Sequence, residues 1–249
     1  MPDTPAYLRI ATDLRVAINT GGIPPGTKIP SESALVARYG VSTIAVRNAV
    51  AILKAEGLVE GRRGSGVYVR DVRRLVRHAH ARDMRSMTGS TSPFARDAAR
   101  AGHRGGWRHT SGHATADLDV ARRLNVEPDD PVMRTQYLFL ADDEPIQLSI
   151  SYEPLSLTAG TPVEWPEDGP AVGVVARFDV IDVHVDECEE RVRDRPATQE
   201  EIDVLKLPPR RAHVQTIERT YFSQGRPVET ADIVLPAGRY EIVYRFPID

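Results

Sequence analysis

The amino-acid sequence predicts an α+β protein in which a helical N-terminal part precedes a domain built around an antiparallel sheet. Up to residue 55, apolar residues recur at the spacing of amphipathic helices. After residue 130, alternating apolar and polar residues form segments joined by short turns, which is the pattern of β-hairpins. The 249 residues, 41% hydrophobic and 27% charged, suffice for two globular domains.

The charge of the chain is divided unevenly along its length. The net charge is −3, but residues 1–110 contain 18 Lys and Arg against 8 Asp and Glu, a balance of +10. Residues 111–249 contain 14 against 27, a balance of −13. A basic first half suits the neutralisation of DNA phosphates, whereas an acidic second half does not.

The single cysteine, Cys188, excludes an internal disulfide framework and is typical of a protein in a reducing cytoplasm. We expect it to be a small buried residue, because no paired histidine would make it a nucleophile. No apolar run reaches membrane-spanning length, and Met1-Pro2-Asp3 begins no signal peptide. The sequence therefore indicates a cytoplasmic protein that does not bind membranes.

The first 55 residues contain three predicted helices. A helix begins at Thr4-Pro5 and ends before Gly21-Gly22. A second, shorter helix is capped by Ser31 and ended by Gly40, and Ser42 caps a third that Gly57 ends. The apolar residues of the third helix form one stripe, which consists of Val46, Ala49, Val50 and Leu53.

Burial of that stripe leaves Thr43, Arg47 and Asn48 facing outward from the leading turns of the third helix. A helix–turn–helix offers polar residues to DNA bases in this way. Two short strands follow, at Leu58-Val59 and at Val67–Val69, and their connection carries two arginines between glycines. The pattern predicts a winged helix–turn–helix over residues 1–70, with these DNA-contacting residues: Ser31, Ser42, Thr43, Arg47, Asn48, Arg62, Arg63 and Gly64.

Several motifs of this first part occur together in order and spacing: Pro24-Pro25-Gly26, Ile29-Pro30-Ser31-Glu32, Val41-Ser42, Val46-Arg47, Glu56-Gly57-Leu58-Val59 and Arg63-Gly64-Ser65-Gly66. Together they resemble the DNA-binding head of the GntR family of bacterial transcription regulators. The head departs from the family pattern at Ser33 and Thr43, where many members have DNA-contacting arginines. The operator sequence therefore does not follow from the resemblance.

Residues 71–88 are rich in arginine and separate the two predicted domains. We interpret them as a solvated basic linker, with additional phosphate contact beside the head as the alternative. The second domain is predicted over residues 89–249. Its helices are expected at these ranges: 94–101, 116–124, 170–178 and a segment capped by Thr198. Its strands are expected at these: 132–140, 146–152, 180–192, 213–222, 228–235 and 240–246, the last of which closes the sheet.

A second set of motifs lies in this domain: Pro131-Val132-Met133-Arg134, Asp143-Glu144-Pro145-Ile146, Ser151-Tyr152-Glu153-Pro154, Arg219-Thr220-Tyr221, Gly225-Arg226-Pro227-Val228-Glu229 and Arg239-Tyr240. They resemble the UTRA domain, the effector-binding domain of the HutC subfamily, which is similar in fold to chorismate lyase. The resemblance implies a small-molecule site contacted by Phe94, Arg134, Ser149 and Glu229, with Gln136 beside them. The alternative for Arg134 and Glu229 is a structural ion pair.

The predicted effector site departs from members that bind sugar phosphates. Gln136 stands in place of a second arginine and Ser149 in place of a carboxylate, while Ala95 replaces a hydroxyl residue and Leu235 an aromatic one. A phosphate dianion requires several donors, so the substitutions favour a weakly charged or neutral ligand, or none.

Other candidate sites are weak. His109 and His113 have metal-ligand spacing but lie among Gly and polar residues, and the acidic cluster at 186–190 is typical of a solvated strand edge. Gly64-Ser65-Gly66 lacks the lysine of a phosphate-binding loop. We therefore expect no catalytic residues, no metal and no cofactor.

The predicted function is that of a homodimeric repressor which binds an inverted repeat in double-stranded DNA and is released by a small-molecule effector. A constitutive dimeric DNA binder, for example for plasmid transfer genes, is the alternative. An enzyme on the chorismate-lyase-like fold is a third hypothesis, but no base and nucleophile converge in the sequence.

Overall fold

The structure is a computed structural model that describes residues 4–70, 74–79, 82, 85, 92–169, 171–208 and 212–246. It divides into two compact units. Residues 1–73 and 207–212 form the first, and residues 74–206 and 213–249 form the second. Among the described residues, none of the helices is long and apolar enough to span a membrane.

The first unit has the predicted helix pair and hairpin. Its elements are α1 (Ala6–Asn19), α2 (Glu32–Tyr39), α3 (Thr43–Ala55), β1 (Val59–Arg62) and β2 (Gly66–Val69), with the two strands antiparallel. The predicted serine caps are present, since Ser31 Oγ accepts a hydrogen bond from the Ala34 amide at 3.2 Å and Ser42 Oγ from the Ala45 amide at 3.3 Å. The stripe on α3 packs into one core with Ile10, Leu14 and Leu35. These features confirm the winged helix–turn–helix fold.

The second unit is built on an antiparallel sheet. Its strands, in the described part of the chain, are β4 (Gly105–Thr115), β5 (Pro131–Ala141), β6 (Glu144–Pro154), β7 (Glu187–Pro196), β8 (His213–Ser223) and β9 (Arg226–Pro236), in the order β4-β5-β6-β9-β8-β7. Its helices are α4 (Pro93–Arg100), α5 (Leu118–Leu124), α6 (Leu155–Thr158), α7 (Val174–Asp179) and α8 (Gln199–Val204). Both predicted hairpins, β5–β6 and β8–β9, are confirmed.

Alternation along the strands gives this sheet two distinct faces. Tyr137, Ser149 and Ile233 are in register on three neighbouring strands, and they define the face that we call the cavity face. Residues one position away, such as Leu138, Leu148 and Val234, define the outer face. Helix α5 packs on part of the outer face, where Arg123 donates two hydrogen bonds to Asp232 at 3.0 and 3.1 Å.

Two segments differ from their predicted roles because they pair with each other. Residues Leu75–His78 form a strand, β3, although the sequence placed them in the linker at 71–88. Tyr240–Val243 form β10, which pairs in parallel with β3 in a separate two-stranded sheet and does not close the main sheet. The cause is apolar burial, since Leu75 and Tyr240 are buried in one cluster with Leu235. The remainder of the predicted linker, apart from Arg74, Ala79, Arg82 and Arg85, lies outside the described residues.

The structure differs from the sequence predictions in four further features. Strand β4 was not predicted, because its glycines and polar residues give no clear alternation. The strand expected at 180–192 begins only at Glu187, and the helix expected at 170–178 begins at Val174, with Pro170 outside the described residues. Cys188 is exposed, because its position on the edge strand β7 turns it toward solvent.

Candidate DNA-binding surface and effector cavity

Helix α3 presents a polar surface opposite its buried stripe. Thr43, Arg47 and Asn48 are all exposed, and Thr43 and Arg47 are one turn apart on the same side of the helix. The Arg47 side chain is 66% exposed and its Nε donates to Glu32 Oε2 at 3.0 Å. Exposed ion pairs of this kind contribute little to stability, so the guanidinium can exchange Glu32 for a DNA acceptor at small cost.

The two capping serines lie at the N-terminal ends of α2 and α3. Both are exposed, and Ser31 Oγ also lies 3.0 Å from Ser33 Oγ. The N-terminus of a helix carries partial positive charge, which favours a phosphate placed beside it. Ser31 and Ser42 are thus suited to position the helices on a DNA backbone.

The turn between β1 and β2 carries the two wing arginines. The Arg62 guanidinium lies 4.3 Å from the centroid of the Tyr68 ring, and it donates to Glu60 Oε1 at 3.2 Å. Arg63 is exposed at the tip, followed by Gly64 with a φ of +73°, a backbone angle that favours glycine. All eight predicted DNA-contacting residues are therefore exposed on the first unit.

A cavity of about 120 Å³ lies against the cavity face of the sheet in the second unit. Among the described residues, Arg82, helix α4, helix α7 and the segment between α6 and α7 also contribute to its wall. Much of the wall is aromatic, and the rings pack on each other, with 4.8 Å between the centroids of Phe94 and Phe139 and 5.5 Å between those of Tyr137 and Phe139. Trp107 and Tyr221 complete the aromatic lining. Such a cavity suits a small organic molecule.

Glu229 is the most unusual polar group in this wall. Its side chain is completely buried, and Oε1 accepts a hydrogen bond from Arg219 Nη2 at 2.8 Å. Oε2 has no hydrogen-bond partner among the described residues. Burial raises the pKa of Glu229 to about 7, against the opposing effect of the Arg219 charge. A buried oxygen without a partner is costly, so a ligand donor at this position would be favoured.

Two further carboxylates of the wall, Glu153 and Glu167, accept hydrogen bonds at both oxygens. Arg177 donates to both oxygens of Glu153, at 2.6 and 3.0 Å, and also to the Val163 carbonyl. Glu167 accepts hydrogen bonds from Tyr137 Oη at 2.8 Å and Trp107 Nε1 at 2.9 Å. Burial and the neighbouring Glu167 raise the pKa of Tyr137, so its hydroxyl remains a donor. These bonds tie the segment between α6 and α7 to the cavity face.

The structure brings together three of the five residues predicted to contact an effector. Phe94, Ser149 and Glu229 line the cavity, but Arg134 and Gln136 do not. The reason is strand alternation, because residues 134 and 136 point to the outer face while Tyr137 points to the cavity. The alternative of an Arg134–Glu229 ion pair is also wrong, since Glu229 pairs with Arg219.

The sequence reasoning missed most of the polar wall. Arg219 was noted only as part of a motif, and Tyr137, Arg177 and Arg82 were not considered as site residues. The hairpin register could have identified Tyr137, because it lies directly opposite Ser149. Arg177 and Arg82 come from outside the sheet, and no local signal predicts their position.

The structure also shows the contacts of the weak candidate sites, namely the histidine pair and the acidic cluster at 186–190. His113 Nε2 lies 2.9 Å from Glu164 Oε1, and its ring stacks on Trp165 with 5.4 Å between centroids. Among the described residues, no group of three or more His, Cys, Asp or Glu could hold a metal ion. In the acidic cluster, Glu187 and Glu189 are exposed, but Glu190 pairs with the buried Arg77.

Two family models match this sequence. The model described as "Bacterial regulatory proteins, gntR family" matches residues 6–69, and the model of the UTRA domain matches residues 109–241. The exposed α3 surface therefore lies in the first match, and most of the cavity wall lies in the second.

Similar proteins extend over nearly the whole chain. A regulator from Rhizobium meliloti (strain 1021), "Uncharacterized HTH-type transcriptional regulator RB1450", is 29% identical over 95% of this chain and 93% of its own length. The "Mannosyl-D-glycerate transport/metabolism system repressor MngR" of Escherichia coli (strain K12) is 24% identical over 92% of this chain and 90% of its own.

Solved structures agree with these matches. A GntR-family transcriptional regulator is 44% identical, covers 99% of both chains and superposes with a TM-score of 0.67. PhnF from Mycobacterium smegmatis, at 18% identity, covers 96% of this chain and 100% of its own with a TM-score of 0.60, which supports the fold. This chain belongs to the GntR family of bacterial transcription regulators, with a winged helix–turn–helix followed by a UTRA domain.

Proposed function

We propose that this protein is a cytoplasmic, homodimeric repressor of the HutC subfamily, released from its operator by a small molecule that binds in the UTRA cavity. The observation that carries this proposal is the aromatic cavity with an oxygen of Glu229 in its wall that has no hydrogen-bond partner among the described residues. A constitutive DNA binder would have no need to maintain such a buried carboxylate oxygen, which costs free energy. The name of the similar MngR, a repressor, supports the direction of regulation.

Recognition of the operator would depend on α3 and the wing. Thr43, Arg47 and Asn48 would face base edges in the major groove, and Arg62 and Arg63 would contact phosphates or the minor groove. Ser31, Ser42 and Gly64 would contribute backbone contacts close to the helix ends and the wing tip.

A second copy of the chain would place two such units on an inverted repeat, with half-sites separated by about 34 Å or one helical turn. The outer face of the sheet supports association of two copies. Leu138, Leu148 and Val234 are in register on neighbouring strands, and each is only half-buried. A row of apolar side chains on a sheet face is a feature of protein interfaces.

The charges of the cavity support an effector without a phosphate monoester. Three arginines line the cavity in the described part of the chain, Arg82, Arg177 and Arg219, and each is already paired with a carboxylate. A phosphate dianion would have to compete with these carboxylates and would be repelled by Glu229. A ligand that donates a hydrogen bond from a hydroxyl or an amine would instead satisfy Glu229 Oε2.

The test uses the full-length chain and a DNA duplex that it selects from a random pool. Sugars, sugar acids, sugar phosphates and amino acids are screened by thermal shift, and each hit is added to a gel-shift titration. We expect a ligand without phosphate to raise the melting temperature and to lower DNA affinity, since saturation at 100 times Kd stabilises by about 2.7 kcal/mol. Failure to select any duplex would refute the regulator, and DNA binding without any ligand effect would favour the constitutive alternative.

Matched variants test whether the effector binds in the cavity. Glu229→Gln should weaken binding of the hit, because the amide no longer accepts with a full charge. Arg134→Gln lies on the outer face and should leave binding unchanged. Tight binding of a sugar phosphate that neither variant alters would overturn both the ligand class and the site.

A further inference from the structure

Three arginines that follow the first unit are tied to carboxylates of the second. Arg77 donates to both oxygens of Glu190, one of them at 3.0 Å, and Arg82 donates to Asp97. Arg85 pairs with Asp179 at 2.9 Å and donates to the Val185 carbonyl at 2.9 Å. We call the described residues 74–79, 82 and 85 the anchor segment. The interpretation of a solvated linker is contradicted at Arg77 and Arg82, whereas Arg74 is exposed as it predicts.

The first two pairs are buried and therefore fix the anchor segment in place. The Arg77 and Glu190 side chains are 3% and 8% exposed, and those of Arg82 and Asp97 are 12% and 4% exposed. Removal of one partner from a buried pair leaves an uncompensated charge, so each partner holds the other strongly. The third pair, Arg85–Asp179, is 36% exposed on both sides and adds less.

Arg82 differs from the other two arginines because it also lines the effector cavity. Its partner Asp97 lies on α4, the helix whose Phe94 forms part of the aromatic wall. Asp97 is also 3.7 Å from Arg100, and Arg96 donates to the Arg82 carbonyl at 3.5 Å. Burial raises the pKa of Asp97, and burial together with Arg77 lowers the pKa of Arg82. Both charges of the pair are thus held at a desolvation cost, and a ligand acceptor in the cavity would lie beside a guanidinium that lines its wall.

We propose that the effector is a hydroxy- or amino-carboxylate whose carboxylate takes Arg82 from Asp97, and that the loss of this tie between the anchor segment and α4 transmits binding to the DNA-binding unit. This rests on the proposed function. The donor end of such a ligand would satisfy Glu229, and its single negative charge would replace the carboxylate that Arg82 loses. The anchor segment begins at residue 74, directly after residues 1–73 of the first unit, so it is the stretch of the second unit that follows the DNA-binding head in sequence. By linkage, DNA must then weaken effector binding by the same factor.

The coupling is tested first without any ligand. Asp97→Asn removes the partner of Arg82 and leaves every DNA-contacting residue unchanged. We expect the Kd for the selected duplex to rise at least tenfold, together with faster deuterium exchange at the amides of residues 74–79. Asp143→Asn is the matched control, because Asp143 forms an exposed pair with Arg104 in the same unit, 80% and 75% exposed. If Asp97→Asn binds the duplex as tightly as the wild type does, the coupling is refuted.

A second variant covers the case in which Asp97→Asn fails to fold. Arg82→Gln keeps a neutral donor toward Asp97 and avoids an unpaired buried cation. It should also raise the Kd for DNA, and circular dichroism and the melting temperature confirm that each variant is folded. Unchanged DNA affinity of a folded Arg82→Gln variant would contradict the proposal in the same way.

The ligand class is tested with matched probes, namely glucose, gluconate and glucose 6-phosphate and the equivalent sets of other sugars, alongside amino acids. Hits should come from the carboxylate-bearing probes and should bind at least tenfold more weakly to Arg82→Gln but not to Arg134→Gln. Hits that are phosphates, or that bind Arg82→Gln normally, would overturn the assignment of Arg82. If the wild type binds DNA but responds to no probe, the proposed effector is contradicted. The DNA affinity of Asp97→Asn, measured without ligand, tests the coupling separately.

Discussion

Replacement of Glu229 by glutamine should change how the stability of the second unit depends on pH. The pKa of Glu229 is raised by burial from an ordinary 4.5 to about 7. The folded protein therefore keeps a proton that the unfolded chain releases from about pH 4.5 upward. This proton stabilises the folded state fully below pH 4.5, and the contribution is lost as pH rises through the folded-state pKa.

The size of the effect follows from the shift. One pKa unit corresponds to about 1.36 kcal/mol, so a shift of about 2.5 units lowers the free energy of unfolding by about 3 kcal/mol between pH 4.5 and pH 8. Glutamine resembles the protonated carboxyl and has no charge to lose. The Glu229→Gln variant and the wild type should therefore be similarly stable at pH 5, and the variant should be about 3 kcal/mol more stable at pH 8.

Urea unfolding followed by tryptophan fluorescence at pH 5, 6, 7 and 8 measures this difference. Both tryptophans of the sequence, Trp107 and Trp165, belong to the second unit, so the signal reports on that unit. Glu201→Gln is the control, because Arg195 lowers the pKa of Glu201 and keeps it ionised over this range. The free energy of unfolding of this control should be lower than that of the wild type by the same amount at every pH. If the free energy of unfolding of Glu229→Gln also differed from that of the wild type by the same amount at every pH, Glu229 would be ionised throughout this pH range. Its burial would then not control its pKa.

Three predictions concern the first unit. Arg47→Ala should weaken specific DNA binding by about 1–3 kcal/mol in a gel shift while circular dichroism stays normal, and unchanged affinity would exclude a base or phosphate contact. Replacement of Arg62 and Arg63 by alanine should lower the slope of log K against log salt by about 0.9 for each lost phosphate contact, whereas the parent slope would show a purely structural wing. Leu53→Ala should lower the free energy of unfolding by about 2–5 kcal/mol, because Leu53 is completely buried. In contrast, Leu8→Ala, at a position 38% exposed, should cost much less, and equal losses would contradict the burial argument.

The helices and hairpins could be predicted because their signals are local. Serine caps, glycine ends and the stripe on α3 each depend on residues within two turns of one another. The same holds for β5 and β6, where alternation and a short turn specify the pair. Strand β4 lacks such a signal, since its partner β5 determines its structure and its own side chains are mostly polar.

The effector site was only partly predictable, and the error was one of register. The family resemblance pointed to residues 134 and 136, but the period of two along a strand sends both to the outer face. The same rule, applied outward from Ser149 on β6, leads to Tyr137 across the hairpin. Glu229 and Ser149 were placed in the cavity by the resemblance alone, because nothing local distinguishes a cavity carboxylate from a surface one.

The anchor segment could not have been predicted from its own residues. A run of arginines is usually solvated, and the composition of residues 71–88 is consistent with that. Two of its carboxylate partners lie far away in the sequence, since Glu190 is 113 positions from Arg77 and Asp179 is 94 positions from Arg85. The parallel pairing of β3 with β10 joins residues that are further apart still, such as Leu75 and Tyr240, and non-local pairing of this kind leaves no periodic trace in either strand.

Magnitudes indicate why the identity of the ligand would matter for release. Breaking a buried ion pair without replacement costs about 3–5 kcal/mol, which exceeds the coupling of about 1–3 kcal/mol that is usual between allosteric sites. A neutral molecule that merely fills the aromatic cavity could not meet this cost at Arg82. A carboxylate would offset the part of this cost that falls on Arg82, because it supplies the guanidinium with a new partner of the same charge and geometry as Asp97. Arg100, 3.7 Å from Asp97, remains beside the carboxylate that Arg82 leaves. The Arg82–Asp97 pair would thus discriminate between ligands, because cavity occupancy alone leaves the pair intact and only exchange of one carboxylate for another breaks it.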